Sequence, residues 1–339
     1  MAGPPLPPLR QRWPWIGPDL QTLRDTLRPP RLGPDRGEAL PLAVAPGEQL
    51  LALADPPACP GPRGWVVLVH GLGGSAGSTG VRRLAQCLQE AGFGVWRLNL
   101  RGAGAGRPLA PGTYAAACNR DLLPALAELR HRAGGLPLLG VGLSLGGAVL
   151  LNAAVAAPGA LDAVVAVSAP LDLEACARRI DHPRNRLYRR WLLSGLVRQT
   201  LADPFGVTEA ERRALTGGGR PSGIRAFDAA ITAPRWGYPD GHAYYRLGSP
   251  LPLLRAGAVA APVLLLQALD DPWVPAAAAR ELAASGRAGL EVLLSPRGGH
   301  NGFHGVGDAG GSWADRQVVQ WLGRFPEPAA AASAGGAGC

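Results

Sequence analysis

The sequence predicts an α/β protein with a mostly parallel central sheet, helices on both of its faces and a helical insertion late in the chain. Three observations carry that expectation. From Trp65 onward, short apolar runs alternate with longer segments of helical period, as repeated β-α units require. The runs are too apolar for half-exposed strands, as suits a sheet covered on both sides. About ninety residues, Leu171 to Pro262, separate two of these runs where a single crossover needs about a dozen.

Residues 1–36 are rich in Pro and Arg, with a helical patch around Leu20, Leu23 and Leu27, and are expected to wrap the domain. The first part of the core is expected over 37–170. Its strands are read at Trp65–Val69, Gly94–Leu98, Leu138–Leu143 and Ala163–Val167, with helices at Gly80–Ala91, Arg120–Arg132 and Leu145–Ala157. Residues 171–260 form the insertion, read as a lid. The core resumes over 261–325 with strands Val263–Leu269 and Leu290–Leu294 and helices Ala276–Ala284 and Trp313–Leu322. The Pro/Ala/Gly/Ser tail at 326–339 is too poor in apolar bulk to pack and is expected to be disordered.

Composition narrows the chemistry. Hydrophobic residues make up 47% and charged residues 17%, enough apolar surface to offset chain entropy. The net charge of +9 is carried without a single lysine, so all 34 basic residues are arginine. Schiff-base chemistry and a lysine-dependent phosphate loop are thereby excluded. Five scattered cysteines without a C-x-x-C pair suggest neither a disulfide framework nor a zinc site, and a reducing compartment is expected. Met1–Gly17 is interrupted by Pro4, Pro5, Pro7, Pro8, Arg10 and Arg12, which does not suit a secretory signal; the expected location is the cytoplasm. The uncharged stretch between Arg132 and Asp162 reads as a buried strand-turn-helix, because Gly142, Ser144, Gly146 and Gly147 interrupt it.

That turn carries the chemistry. Gly142-Leu143-Ser144-Leu145-Gly146 is G-x-S-x-G directly between a strand and a helix, the setting of a nucleophile elbow. Side chains at 142 and 146 would collide in so tight a turn, and the helix N-terminus behind Ser144 favours developing negative charge. His70-Gly71-Leu72-Gly73-Gly74 follows the first of the strands read above, and the backbone N–H groups of Leu72 and Leu145 are the candidate oxyanion donors. His70 is read as the loop's anchor rather than a base. Asp271, at a strand end and followed by Pro272, is the candidate acid, with Asp270 as its alternative. His300, after the paired glycines 298 and 299, is the candidate base, with His304 as its alternative. The two histidines lack the helix and the Glu that an H-E-x-x-H metal site needs, so no metal or other cofactor is expected. The chain order Ser144, Asp271, His300 is that of an α/β-hydrolase triad.

The elbow, with Leu20-Gln21-Thr22-Leu23, His70–Ser75, Asn99-Leu100-Arg101-Gly102 and Gly299-His300-Asn301-Gly302-Phe303, resembles the YheT-like branch of the α/β-hydrolases, a branch that includes eukaryotic α/β-hydrolase-domain lipases. The resemblance spans about Trp13 to Leu322. It implies a serine hydrolase of carboxylic esters, with acylglycerol or phospholipid substrates in some eukaryotic members, and does not itself choose a substrate; those expected here are short- to medium-chain acyl esters or acylglycerol-type lipids. Asp19 departs from the branch, which more often has histidine there. Two rivals remain: an acyltransferase passing the same acyl-serine to an alcohol, although no H-x-x-x-x-D pattern is present, and a non-catalytic binding protein.

Arg178, Arg179, Arg184, Arg186, Arg189, Arg190 and Arg198 cluster in the insertion among Leu187, Tyr188, Trp191 and Leu192. A solvated lid face, peripheral contact with an anionic membrane and nucleic-acid binding compete as readings, and no nucleic-acid partner is expected. The glycine run from Arg101 to Gly106 lacks the spacing and the acidic residue of a dinucleotide loop and is read as a flexible loop.

Overall fold

The computed structural model describes residues 6–308 and 310–325; the expected tail at 326–339, Cys339 and the first five residues of the N-terminal extension lie outside them. One eight-stranded sheet runs through the domain in the order β1-β2-β4-β3-β5-β6-β7-β8. Its strands are β1 (Glu38–Ala45), β2 (Glu48–Asp55), β3 (Trp65–Val69), β4 (Gly94–Asn99), β5 (Leu138–Leu143), β6 (Ala163–Val167), β7 (Val263–Ala268) and β8 (Leu290–Ser295). From β4 to β8 the pairing is parallel, while β1–β2 and β2–β4 are antiparallel.

The antiparallel hairpin β1–β2 is absent from the six strands read in the sequence. Its Ala- and Leu-rich segments carry weak strand propensity, Pro41 lies inside the first, and most of β1 is exposed at the sheet's edge. The signal that marks it is Pro46-Gly47, with Gly47 at φ 74°, between two apolar runs.

Alternate strand residues feed two cores. Val67, Val69 and Leu98 face α3 (Asn119–Arg132), α4 (Leu145–Ala156) and the insertion, while Val66, Leu68 and Val95 face α2 (Thr79–Glu90) and the last helix, Trp313–Leu322. Helix α4 is apolar all round and buried, as its central position demands. The uncharged stretch before Asp162 is thus split into β5 and a helix of 12 residues; among the described residues no helix is long and apolar enough to cross a membrane.

Between β6 and β7 the chain builds a cap of short helices, beginning with α5 (Leu173–Asp181) and α6 (Arg186–Leu201) and ending with Leu251–Ala256. Asn152 of α4 fastens it, donating to the carbonyls of Ala116 and of Gly248 in the cap. The N-terminal segment supplies α1 (Pro18–Leu27), with Leu20 and Leu27 exposed and Gln21 fully buried.

The glycine run from Arg101 to Gly106, expected to be a flexible loop, is instead pinned. Gly104–Leu109 forms a 3-10 helix against β2, and the Arg101 guanidinium makes a two-pronged pair with Asp121 in the first turn of α3, with bonds of 2.6 and 2.7 Å. Both side chains are buried. Removing one partner strands the other charge away from water. Arg101→Ala is therefore expected to cost about 3–5 kcal/mol, read as a lowered urea midpoint. Arg132→Ala, which breaks only an exposed i,i+4 pair with Glu128, should change stability by less than about 0.5 kcal/mol.

Candidate active site

Strand β3 lies between β4 and β5, so successive connections leave it in opposite directions and open a crevice at the carboxyl ends of β3 and β5. Ser144 stands there, between the last residue of β5 and the first of α4, with φ 52° and ψ −124°. Close packing enforces that conformation. A Cβ on Gly142 would fall onto the backbone of Gly146, and one on Gly146 would fall onto the carbonyl oxygens of Val69 and His70. The Ser144 N–H donates to the Val167 carbonyl at 2.8 Å, which anchors the elbow to β6.

The imidazole of His300 bridges two side chains. Its Nδ1 lies 2.9 Å from Asp271 Oδ2 and its Nε2 2.9 Å from Ser144 Oγ. A carboxylate only accepts, so Nδ1 carries the proton, and the Nε2 lone pair is left to accept from the serine hydroxyl. Asp271 is fixed in turn: Oδ1 accepts from the backbone N–H groups of Trp273 and Val274 at 2.8 and 2.9 Å, and Oδ2 from Gln267 Nε2 at 3.3 Å. Its side chain is completely buried and that of His300 nearly so. The indole of Trp273 covers the imidazole with ring centroids 4.5 Å apart.

The alternative residues have other partners. Asp270 accepts from the Gly299 N–H at 2.9 Å, so it braces the backbone beside His300; its carboxyl is raised above the usual range, chiefly by burial. His304 Nε2 faces Asp25 at 3.3 Å, and burial depresses its pKa to about 4. His70 donates from Nδ1 to the Gly71 carbonyl at 2.8 Å and accepts the Leu100 N–H on Nε2 at 3.2 Å. Burial holds its pKa at about 4, so it stays neutral with both nitrogens occupied. The loop it anchors is also gripped by Tyr114, whose hydroxyl accepts from the Gly73 N–H at 2.7 Å.

Leu72 and Leu145 both line a cavity of about 180 Å³ that opens onto Ser144. Leu145 is the first residue of α4, so its N–H has no partner within the helix. The cap completes the cavity with Leu173, Ala177, Ile180, Leu192 and Ile224, an apolar wall. A hydroxyl paired with an imidazole, beside helix-terminal N–H groups and a largely apolar cavity, is suited to nucleophilic attack on a carbonyl carbon.

Composition and spacing did not reveal what α1 does here. Gln21 donates to the His304 carbonyl at 2.9 Å and accepts the His304 N–H at 2.7 Å, and Thr22 Oγ1 accepts the His300 N–H at 2.9 Å. Asp19 accepts from the Tyr188 hydroxyl of α6 at 3.0 Å, and the Tyr188 ring packs edge-on against Trp273. The N-terminal segment therefore reaches the histidine loop both directly and through the cap. The only sequence signal was the resemblance of Leu20-Gln21-Thr22-Leu23 to the YheT-like branch.

Over residues 64–305 the sequence matches the alpha/beta hydrolase fold family, and the chain belongs to that family. Its likeness to YheT of Escherichia coli (strain K12), whose esterase name is provisional, puts it in the YheT-like branch: the two are 32% identical over 274 residues, 77% of each chain. Human phospholipase ABHD3 is 26% identical over 262 residues, which span 76% of this chain but only 63% of that longer protein. Among solved structures, a soluble variant of monoglyceride lipase from Saccharomyces cerevisiae shares the fold with a TM-score of 0.58 and 19% identity, covering 88% of this chain and 98% of that one.

Gln21→Ala would leave the His304 backbone N–H and C=O unpaired in a buried site. It is expected to cost about 2–4 kcal/mol and to slow covalent labelling of Ser144 by a fluorophosphonate at least tenfold. Labelling at the unmodified rate in the folded variant would show that α1 does not hold the histidine loop.

Proposed function

We propose that the chain is a serine hydrolase cleaving carboxylic esters through an acyl-serine on Ser144, with short- to medium-chain acyl esters or acylglycerol-type lipids as substrates. The observation that carries this reading is the His300 imidazole, within hydrogen-bonding distance of both Ser144 Oγ and Asp271 Oδ2 at the mouth of an apolar cavity. The phospholipase and esterase names of its relatives point to ester chemistry as well.

In this mechanism His300 Nε2 takes the Ser144 proton as Oγ adds to the ester carbonyl. The carbonyl oxygen becomes an oxyanion, received by the N–H groups of Leu72 and Leu145. Asp271 holds the imidazole by Nδ1 and balances the imidazolium while it lasts. The imidazolium then gives its proton to the departing alkoxide, leaving an acyl-serine and a free alcohol. Water, deprotonated by His300 in the same way, adds to the acyl carbon, and the carboxylic acid leaves as Ser144 recovers its proton.

Ser144→Ala should abolish both fluorophosphonate labelling and hydrolysis of p-nitrophenyl butyrate, and Asp271→Asn should lower kcat by about 10²–10⁴ by disturbing the tautomer. Labelling of the unmodified protein without release of acid into water would favour the acyltransferase, and no labelling the binding protein.

The outer face of α6 supports a membrane contact for lipid substrates. Leu187 and Trp191 are 76% and 63% exposed, flanked by Arg186, Arg190 and Arg198, which make no ion pair among the described residues. Their neighbour Leu192 on the same helix lines the cavity. Basic residues around exposed apolar ones suit an anionic bilayer surface. Binding to phosphatidylcholine vesicles containing phosphatidylglycerol, measured by flotation, should weaken at least about tenfold in Leu187→Ala/Trp191→Ala and fall with added salt. Flotation that is the same with and without phosphatidylglycerol would remove the electrostatic part of this reading.

A further inference from the structure

The cavity that the ester reading fills with an acyl chain is not apolar throughout. On its cap side stands Asp228, in a π-helical turn (Asp228–Thr232) together with the rings of Tyr244 and Tyr245. Both carboxylate oxygens accept from neutral hydroxyls: Oδ1 from Thr232 Oγ1 at 2.7 Å and Oδ2 from the Tyr245 hydroxyl at 2.9 Å. Among the described residues no Arg or His pairs with it. A carboxylate has about four lone-pair positions, so two acceptor positions remain.

Such a group is expensive in an apolar wall. A carboxylate enclosed by protein is normally paired with a cation, and this one, half-buried in the cavity wall, is not. Burial raises its pKa to about 6, with Asp181 adding like-charge repulsion, so it is still mostly ionised at neutral pH. The catalytic chemistry proposed above does not use it. Were the cavity meant only for a plain hydrocarbon chain, an apolar residue here would line it at no such cost. Placed in the wall of the space that the substrate enters, it is positioned to accept from a donor on a ligand.

We propose that Asp228 is a specificity determinant that receives a hydrogen-bond donor, a hydroxyl or an ammonium, borne by the far end of the substrate's acyl chain. The assignment rests on the ester-hydrolase reading and narrows its substrates to short acyl groups with a polar end. Their shortness follows from volume: a cavity of about 150 Å³ holds benzene, so about 180 Å³ accommodates roughly seven non-hydrogen atoms. A structural role alone, tying the helix Gly241–Gly248 to the turn through Tyr245, predicts no such preference.

The test compares kcat/KM for p-nitrophenyl hexanoate, ω-hydroxyhexanoate and ω-aminohexanoate. With the unmodified protein, at least one donor-bearing ester should exceed hexanoate by about tenfold or more. A larger gain for the amino ester assigns the site to a cation, and a larger gain for the hydroxy ester to a neutral donor. Asp228→Asn should erase the preference for the amino ester, and Asp228→Leu should turn the selectivity towards hexanoate. Hexanoate cleaved as well as or better than both donor esters by the unmodified protein overturns the assignment, whether or not the variants fold, and leaves the ester reading intact. If none of the three is cleaved in a Ser144-dependent way, the ester reading fails and the assignment with it.

Discussion

The active site is built on a close backbone crossing where β5 turns into α4 beneath the end of β3. Glycine at 142 and 146 lets the helix start directly against the Val69 and His70 carbonyls, and Ser144 is left at positive φ as the only residue between strand and helix. A non-glycine residue in that region costs about 1–3 kcal/mol, which the surrounding packing must offset. The packing is there: α4 is buried on all sides, and the Ser144 N–H is bound to β6. Everything else at the site is arranged around the hydroxyl so placed.

Two glycine-containing loops converge on it from different strands. After β3, His70 and Tyr114 lock the turn that brings Leu72 to the cavity. After β8, the loop bearing His300 passes through positive φ at Gly298, Gly299, Asn301 and Phe303, and so needs outside support. That support comes from α1 and from Asp270. A segment almost three hundred residues earlier in the chain thus supports the imidazole's loop, and the cap braces the Asp271–Trp273 loop through Tyr188 against the Trp273 ring and through Arg179 and Asn185, which donate to the Pro272 carbonyl. The cavity is therefore a joint product of the core, the cap and the N-terminal segment.

Much of this was legible in the order of residues. The parallel strands announce themselves as apolar runs because both faces of the sheet are covered, and the elbow is visible because its glycines flank a serine directly between a strand and a helix, although only that at 142 is imposed by a near neighbour in the chain and that at 146 answers to the Val69 and His70 carbonyls. The hairpin β1–β2 was not legible, since an exposed edge strand need not be apolar and Ala-Leu segments suit a helix equally well. Nor was the support from Gln21 and Thr22: a lone Gln or Thr in a helical patch has no pattern, and its partners lie some 280 positions away. Asp228 was hidden for the same reason, as its meaning depends on the cavity beside it.

The sequence by itself determined the fold class, the family and the identity of Ser144 as the residue at the tip of a strained turn, because these depend on local periodicity and on the strand-glycine-serine-glycine-helix order of one short segment. Only the tertiary structure decided which aspartate and which histidine meet the serine, what holds the histidine loop, and what lines the cavity. Those are matters of through-space distance between segments far apart in the chain, and hydrogen bonds and burial act over ångströms, whatever the separation in sequence.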